Sequence, residues 1–150
     1  MQMSISKTRI FYIVFIVIAM CIMLFGIWMY RVVSFAVQAE NTYHANNFVF
    51  CLVKEYIIDQ KNWPDSWDDL EKLPSRQYSM YTWPKDRKKI QQCVSIDFNV
   101  TLTMLSDVSR ENFVAIEPIE PCFSYDHTSE FTDLLDTIQM INKELSDIQF

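Results

Sequence analysis

The first sixty residues carry two successive hydrophobic patterns, and the first of them is unbroken. Between Ile10 and Tyr30 no residue is charged and almost every position is apolar. About 20 apolar residues form a helix long enough to cross the roughly 30 Å hydrocarbon layer of a membrane, and no polar stripe marks this one as a soluble core helix. The pattern predicts a transmembrane helix over residues 10–30, with Phe15 and Gly26 inside it and Tyr30 in an interfacial aromatic belt.

The second pattern is periodic and indicates that the helix continues beyond the membrane. Neither Gly nor Pro occurs from Val32 to Gln60. Residues recurring at spacings of three and four form one face of a helix: Phe35, Ala39, Thr42, Ala45, Val49, Leu52 and Tyr56. We expect the helix to end near Trp63, because the residue before Pro64 avoids α geometry.

A short helix and a loop are predicted next. Ser66 lies three residues before Asp69, which is close to the capping-box arrangement that starts a helix. We expect this helix to run to Leu73, where Pro74 closes it. The segment 74–89 mixes aromatic residues, prolines and a basic run, and we interpret it as a loop with an exposed tip.

The clearest strand pattern follows. Apolar and polar residues alternate from Val94 to Met104, which is typical of a half-buried β-strand. A second strand is predicted over residues 113–119, with prolines near its end. The two strands would pair as an antiparallel hairpin.

Two of the four cysteines lie at the open end of this hairpin. With Met104 opposite Phe113, Cys93 falls opposite Ser124, two residues from Cys122. A modest change of register would bring the two thiols together. The sequence therefore allows a disulfide between Cys93 and Cys122 in a compartment outside the cytoplasm.

An amphipathic helix closes the chain. Thr128 or Ser129 is its expected cap, and the acidic residues that follow suit the positive end of the helix dipole. Its inner face is Phe131, Leu134, Leu135, Ile138, Ile141 and Leu145. The predicted fold class is α+β, with a transmembrane helix that continues into a long amphipathic helix, packed with a C-terminal helix on a small antiparallel sheet.

Charge sets the expected orientation. Lys7 and Arg9 precede the span and only Arg31 follows it closely, which favours a cytoplasmic N-terminus by the positive-inside rule. All 19 acidic residues but only 10 of the 13 basic ones lie after Arg31, and nucleic-acid binding would need clustered basic residues there. A signal peptide cleaved near residues 37–39 is an alternative, although its apolar run exceeds the usual length of about 7–15 residues.

The order of these elements resembles type IV pilins and pseudopilins, in which a membrane helix runs unbroken into an amphipathic helix and a small antiparallel sheet. The resemblance implies a pilin-like arrangement and lateral packing through the membrane helix and the face from Phe35 to Tyr56. Pilins carry a Gly just before the apolar run and a Glu inside it, whereas here Thr8 and Arg9 precede the run and residues 10–30 hold no acidic residue. The likeness is one of architecture.

Three stretches of sequence carry a second resemblance. They are residues 62–70 (NWPDSWDDL), 94–98 (VSIDF) and 113–122 (FVAIEPIEPC). They are similar to segments of small membrane-anchored proteins of planctomycete-type bacteria. This resemblance implies an envelope protein and no particular activity.

The candidate binding residues gather around two tryptophans. Asp65 and Asp68 lie beside Trp63 and Trp67, in a segment with two further carboxylates. Paired carboxylates can perform acid–base chemistry where their pKa values are pushed apart, but acidic residues also suit a helix N-terminus. We predict an interaction surface at these four residues, with an enzyme or a carbohydrate- or metal-binding domain as the alternative.

The two histidines offer little chemistry. His44 lies off the apolar stripe and is expected to be solvated, and His127 lies next to Asp126 and five residues after Cys122. A structural zinc site needs four ligands, usually in pairs at short spacing, and no such pairs occur. Without a nucleophile–base motif or a glycine-rich loop, the sequence predicts no catalytic residues, metal ligands or cofactor.

The predicted domains are a cytoplasmic N-terminus (1–9), a transmembrane signal anchor (10–30) and an extracytoplasmic α+β domain (31–150). The predicted function is that of a single-pass protein of the cell (inner) membrane with a non-catalytic interaction or scaffolding domain, of which a pilin-like assembly subunit is the sharper form. Its expected partners are membrane lipid, through residues 10–30, and other envelope proteins.

Overall fold

The computed structural model describes residues 7–119, 121–125 and 128–148, and it has the predicted α+β architecture. The chain divides into two compact units, Met1–Val37 and Gln38–Phe150. The elements are helix α1 (Lys7–Gln60), helix α2 (Trp67–Leu70), strands β1 (Arg76–Tyr78) and β2 (Tyr81–Trp83), helix α3 (Arg87–Cys93), strand β3 (Val94–Ile96), helix α4 (Leu102–Leu105), a 3-10 helix (Arg110–Asn112), strand β4 (Ile116–Pro118) and helix α5 (Ser129–Ile148).

The first unit consists of the apolar part of α1. Among the described residues, α1 alone is long and apolar enough to cross a membrane, and none of its apolar window is buried. Ile10, Phe15 and Tyr30 are exposed, and a side chain added at Gly26 would meet no atom within 4 Å. A helix that is apolar and unpacked on every side is compatible with contact to membrane lipid.

The second unit uses the amphipathic part of α1 as one wall of its core. Buried positions begin at Ala39 and recur as far as Ile57. The helix ends where Lys61 adopts a left-handed φ of 55° and donates its N–H to the Ile57 carbonyl at 2.9 Å, as residues just past a helix commonly do. The prediction that Phe35 lies on the packed face is wrong, because its side chain is 56% exposed.

Helix α5 supplies the opposite wall, as predicted from its apolar face. Its buried side chains are Phe131, Leu134, Leu135, Ile138 and Ile141. Leu145 lies one turn beyond them and is 38% exposed, so the fully buried part of the inner face is one turn shorter than predicted. Complete burial of each such side chain stabilises the fold by about 1.5–3 kcal/mol.

The segment 74–89 folds into a hairpin and the start of a helix, so its interpretation as a loop is wrong, although Lys85, Lys88 and Lys89 of its basic run are exposed. Strands β1 and β2 pair antiparallel, with Arg76 opposite Trp83, and Ser79 turns the chain with a φ of 51°. Trp83 is fully buried, and its Nε1 donates to the Leu70 carbonyl at 2.9 Å. Strands of three residues have too few positions for an alternating pattern to be recognised.

The alternating segment 94–104 is not one strand, which corrects a second prediction. The strand ends at Ile96, and the Asp97 carboxylate then accepts the backbone N–H of Asn99 at 2.9 Å. This local bond turns the chain, because an aspartate side chain offers the backbone an alternative to the sheet ladder.

Helix α4 takes up the last part of that segment. Thr101 caps it by accepting the Met104 N–H on its hydroxyl at 3.3 Å. Leu102 and Leu105 are buried, whereas Met104 is 67% exposed. The spacing of three between the buried leucines is that of a helix.

The predicted antiparallel pairing of the two β segments is present, but in a different register. Strand β3 pairs with β4, with Val94 opposite Pro118. The Cys93 carbonyl accepts the Ile119 N–H at 2.8 Å, whereas the predicted register placed Cys93 five residues further along, opposite Ser124. Phe113 and its neighbours before β4 therefore do not belong to the strand.

Candidate functional site

The two tryptophans of the predicted interaction surface have different surroundings. Trp63 is 2% exposed, and its Nε1 donates to the Asp97 carbonyl at 2.9 Å. Trp67 is partly buried and packs against Trp83 and Phe98, with ring centroids 6.3 and 6.0 Å apart. The rings of Trp63 and Trp83 are therefore core anchors rather than open stacking platforms.

The acidic cluster consists of Asp65, Asp68, Asp69 and Glu71. The start of helix α2 accounts for the contacts of Asp65 and Asp69. Ser66 Oγ accepts the Asp69 N–H at 3.3 Å, and Asp69 Oδ2 accepts the Asp65 N–H at 3.2 Å. Lys72 Nζ donates to Asp69 Oδ1 at 2.5 Å, and this bond, with one from Ser66, lowers the pKa of Asp69. A carboxyl whose pKa lies below its usual value stays ionised at neutral pH and does not suit a general acid.

Arg87 forms ion pairs with the other two carboxylates of the cluster. Its guanidinium lies 2.6 Å from Glu71 and 2.7 Å from Asp68, and these bonds raise the pKa of Arg87, Glu71 contributing more. The contacts link α2 to α3. The predicted site residues Trp63, Trp67 and Asp68 thus make packing and bridging contacts within their own unit, and Asp65 contributes its backbone N–H to a cap.

Within the residues that the structure describes, no three His, Cys, Asp or Glu side chains are grouped so as to hold a metal ion. His44 Nε2 lies 4.0 Å from the carboxylate of Glu40, one helical turn earlier on α1. His127 and Asp126, the other candidates, lie outside the described residues.

Cys93 and Cys122 are free thiols, and each is partly buried. Burial raises the pKa of Cys122 to about 11, and the neighbouring charge of Cys93 adds to this shift. The Tyr81 hydroxyl lies 3.9 Å from Cys93 Sγ and donates to the Asn41 carbonyl at 3.2 Å. The disulfide between the two thiols stays a prediction.

A cavity of about 520 Å³ lies beside Cys93, lined mostly by polar side chains. Its lining residues are Gln38, Asn41, Thr42, Gln92, Cys93 and Ile119. One turn along α1 from Thr42, Asn46 is completely buried, and neither polar atom of its amide has a partner among the described residues. Sequence pattern does not predict the burial of Asn46, because this residue is polar and lies off the apolar stripe.

Two polar links attach the β1–β2 hairpin to the long helices, and both were missed from the sequence. Arg76 pairs with Glu55 of α1, and the Tyr78 hydroxyl donates to Glu130 of α5 at 2.5 Å. Burial raises the pKa of Tyr78, and its bond to Glu130 raises it further. Burial alone would raise the pKa of Glu130, but the bond from Tyr78 and its other hydrogen bonds lower it.

Most of these polar contacts join a carboxylate to another side chain of the second unit. Asp69 binds Lys72, and Asp68 and Glu71 bind Arg87. The carboxylates of Glu55 and Glu130 bind side chains of β1. These contacts hold elements of the second unit together. No protein-family model, curated protein or solved structure matches this chain.

Proposed function

We propose that this chain is a single-pass membrane-anchored protein of a bacterial envelope, whose second unit is a non-catalytic interaction or scaffolding module. The observation that carries the proposal is the run of exposed apolar side chains from Ile10 to Tyr30. Transfer of one such side chain out of water is worth about 1.5–3 kcal/mol. A membrane removes the whole run from water at once, and the helix is long enough to span it.

The polar contacts of the second unit support a non-catalytic role. Asp68, Asp69 and Glu71 each bind a cation of their own chain. The Cys122 thiol, with a pKa of about 11, is protonated at neutral pH and is a weak nucleophile. An enzyme or ligand-binding domain built on the acidic cluster would first have to give up these contacts.

The proposed orientation places the N-terminus in the cytoplasm and the second unit outside. Its support is the basic residues Lys7 and Arg9 before the span and the acidic chain after it. Fusion of a reporter to Phe150 in a bacterial host tests the orientation. We expect the alkaline phosphatase fusion to be active, because this enzyme folds only outside the cytoplasm. We expect the fusion to green fluorescent protein to be non-fluorescent, because that protein folds only inside.

The matched control is a Lys7→Gln/Arg9→Gln variant, which removes the charge bias while leaving the span intact. It should show a mixed orientation. Bright green fluorescent protein and inactive phosphatase on the unaltered chain would contradict the proposed orientation.

An assembly subunit is the sharper form of the proposal. The helix face from Ala39 to Tyr56 is occupied by the unit's own core, so lateral packing would use the span 10–30. Chemical crosslinking of the full-length protein in native membranes should then yield a ladder of multimers, and a monomer alone would leave the anchored interaction module without the assembly role.

A further inference from the structure

The exposed apolar surface of α1 continues past the predicted span. After Arg31, the side chains of Val32, Val33, Phe35 and Val37 are 45%, 54%, 56% and 50% exposed. Ser34 is the one residue from 32 to 37 with a polar side chain. The chain thus offers about one and a half further turns of apolar helix between the span and the second unit.

These side chains point in directions spread around the helix. At about 3.6 residues per turn, Val32, Val33, Phe35 and Val37 do not fall on one stripe. A partner protein would cover a single face, and an apolar stripe would mark that face. Lipid surrounds a helix on every side, so this segment, whose apolar side chains point in several directions, is suited to contact with lipid.

The length of the apolar helix agrees with a lipid environment. Ile10 to Val37 is about 28 residues, or roughly 42 Å at 1.5 Å per residue. The hydrocarbon layer is about 30 Å thick, and the membrane is about 40–45 Å thick with its headgroup layers. With residues 10–30 filling the hydrocarbon layer, residues 31–37 rise about 10 Å further, through the headgroup layer of about 5–8 Å on that side, where the long Arg31 side chain can extend to phosphate.

We propose that Val32–Val37 is a lipid-contacting segment that lies in the interfacial layer of the membrane. The inference rests on the proposed membrane anchorage and extends it beyond the span. Gln38 alone separates Val37 from Ala39, the first buried residue of the second unit. No polar linker therefore intervenes along the chain between the lipid-contacting helix and the folded unit.

Photo-crosslinking at three phenylalanines tests this segment. A benzoylphenylalanine replaces Phe25, Phe35 or Phe123, one at a time, in the full-length protein in vesicles of phosphatidylethanolamine and phosphatidylglycerol. The three side chains are 62%, 56% and 49% exposed, so exposure is matched while position differs. We expect a mass increase of one phospholipid at positions 25 and 35, and much less of this adduct at position 123.

The outcomes separate the inference from the function on which it rests. Lipid adduct at position 25 but no more at position 35 than at position 123 would overturn the lipid-contacting segment and leave the anchor intact. A crosslinked product with twice the mass of the chain at position 35 would show that a second copy of the protein contacts the segment. This result would also overturn the inference. Absence of lipid adduct at position 25 would overturn the proposed anchorage itself.

Discussion

Among single residues, the buried asparagine of α1 is the least expected. Asn46 is completely buried, and both polar atoms of its amide lack a partner among the described residues. A buried polar group without a hydrogen bond costs about 1–3 kcal/mol. The amide thus lowers the stability of the second unit, which is otherwise built on apolar burial.

Substitution of this residue should therefore stabilise the protein. Asn46→Leu removes the unpaired amide while keeping the number and branching of the side-chain heavy atoms, and we expect the free energy of unfolding to rise by about 1–3 kcal/mol, measured by urea denaturation in detergent micelles. Asn41→Leu, at a partly exposed position of the same helix, is the control and should change it by less than about 0.5 kcal/mol. A loss of stability on Asn46→Leu would mean that the amide is hydrogen-bonded to an internal water.

The cysteine pair gives a second prediction for individual residues. Cys93 and Cys122 are both partly buried free thiols of the second unit, and an oxidising compartment favours disulfide formation. We expect mass mapping of the exported protein without reductant to find the two peptides joined. Recovery of both as free thiols would contradict the predicted bridge, while Cys51, on α1, serves as the internal standard for an unpaired cysteine.

At the level of elements, long apolar periods predicted the helices correctly, and local hydrogen bonds explain where a predicted strand is absent. The long helix and α5 follow apolar periods that extend over several turns, and both were foreseen. The predicted strand 94–104 failed because Asp97 and Thr101 bind nearby backbone groups. Such bonds compete with a sheet ladder over one or two residues, a range too short to disturb the alternating pattern of side chains.

A pair of alanine substitutions distinguishes the helix α4 from the strand that the pattern predicted. Leu105→Ala should destabilise the second unit by about 2–5 kcal/mol, because its side chain is buried. Met104→Ala should change stability by less than about 0.5 kcal/mol, because its side chain is exposed. A larger loss at Met104 than at Leu105, measured by denaturant unfolding, would favour the strand.

The cap of α2 predicts a pH dependence. Hydrogen bonds from Lys72 and Ser66 hold the pKa of Asp69 below its ordinary value of 3.8. A carboxyl with a lowered pKa in the folded state stabilises the fold above the unfolded pKa, and this contribution disappears as the pH falls through the folded pKa.

Asp69→Asn should therefore reduce the free energy of unfolding at pH 7, and the difference from the unaltered protein should shrink as the pH falls below 3.8. Denaturant unfolding at a series of pH values measures this. A difference that is constant with pH would show that the ionised form of Asp69 adds nothing to the cap.

For the whole molecule, the sequence predicted the organisation better than the site. The long apolar run, the amphipathic helix after it, the antiparallel pairing of two β segments and the C-terminal helix were predicted, and together they make up the α+β fold. The site was harder, because its contacts join residues far apart in the chain: Tyr78 and Glu130 are 52 positions apart. The buried indole of Trp63 donates its N–H to the carbonyl of Asp97. No spacing within residues 62–70 reveals that partner.

The account depends most on residues 10–30 being surrounded by lipid, and alkaline carbonate extraction of isolated membranes tests this directly. We predict that the full-length protein stays in the membrane pellet. An Ile18→Arg/Ile22→Arg variant should be released to the supernatant, because each charge at the centre of the helix costs about 2.5–3.5 kcal/mol. Release of the unaltered protein by carbonate would contradict the account.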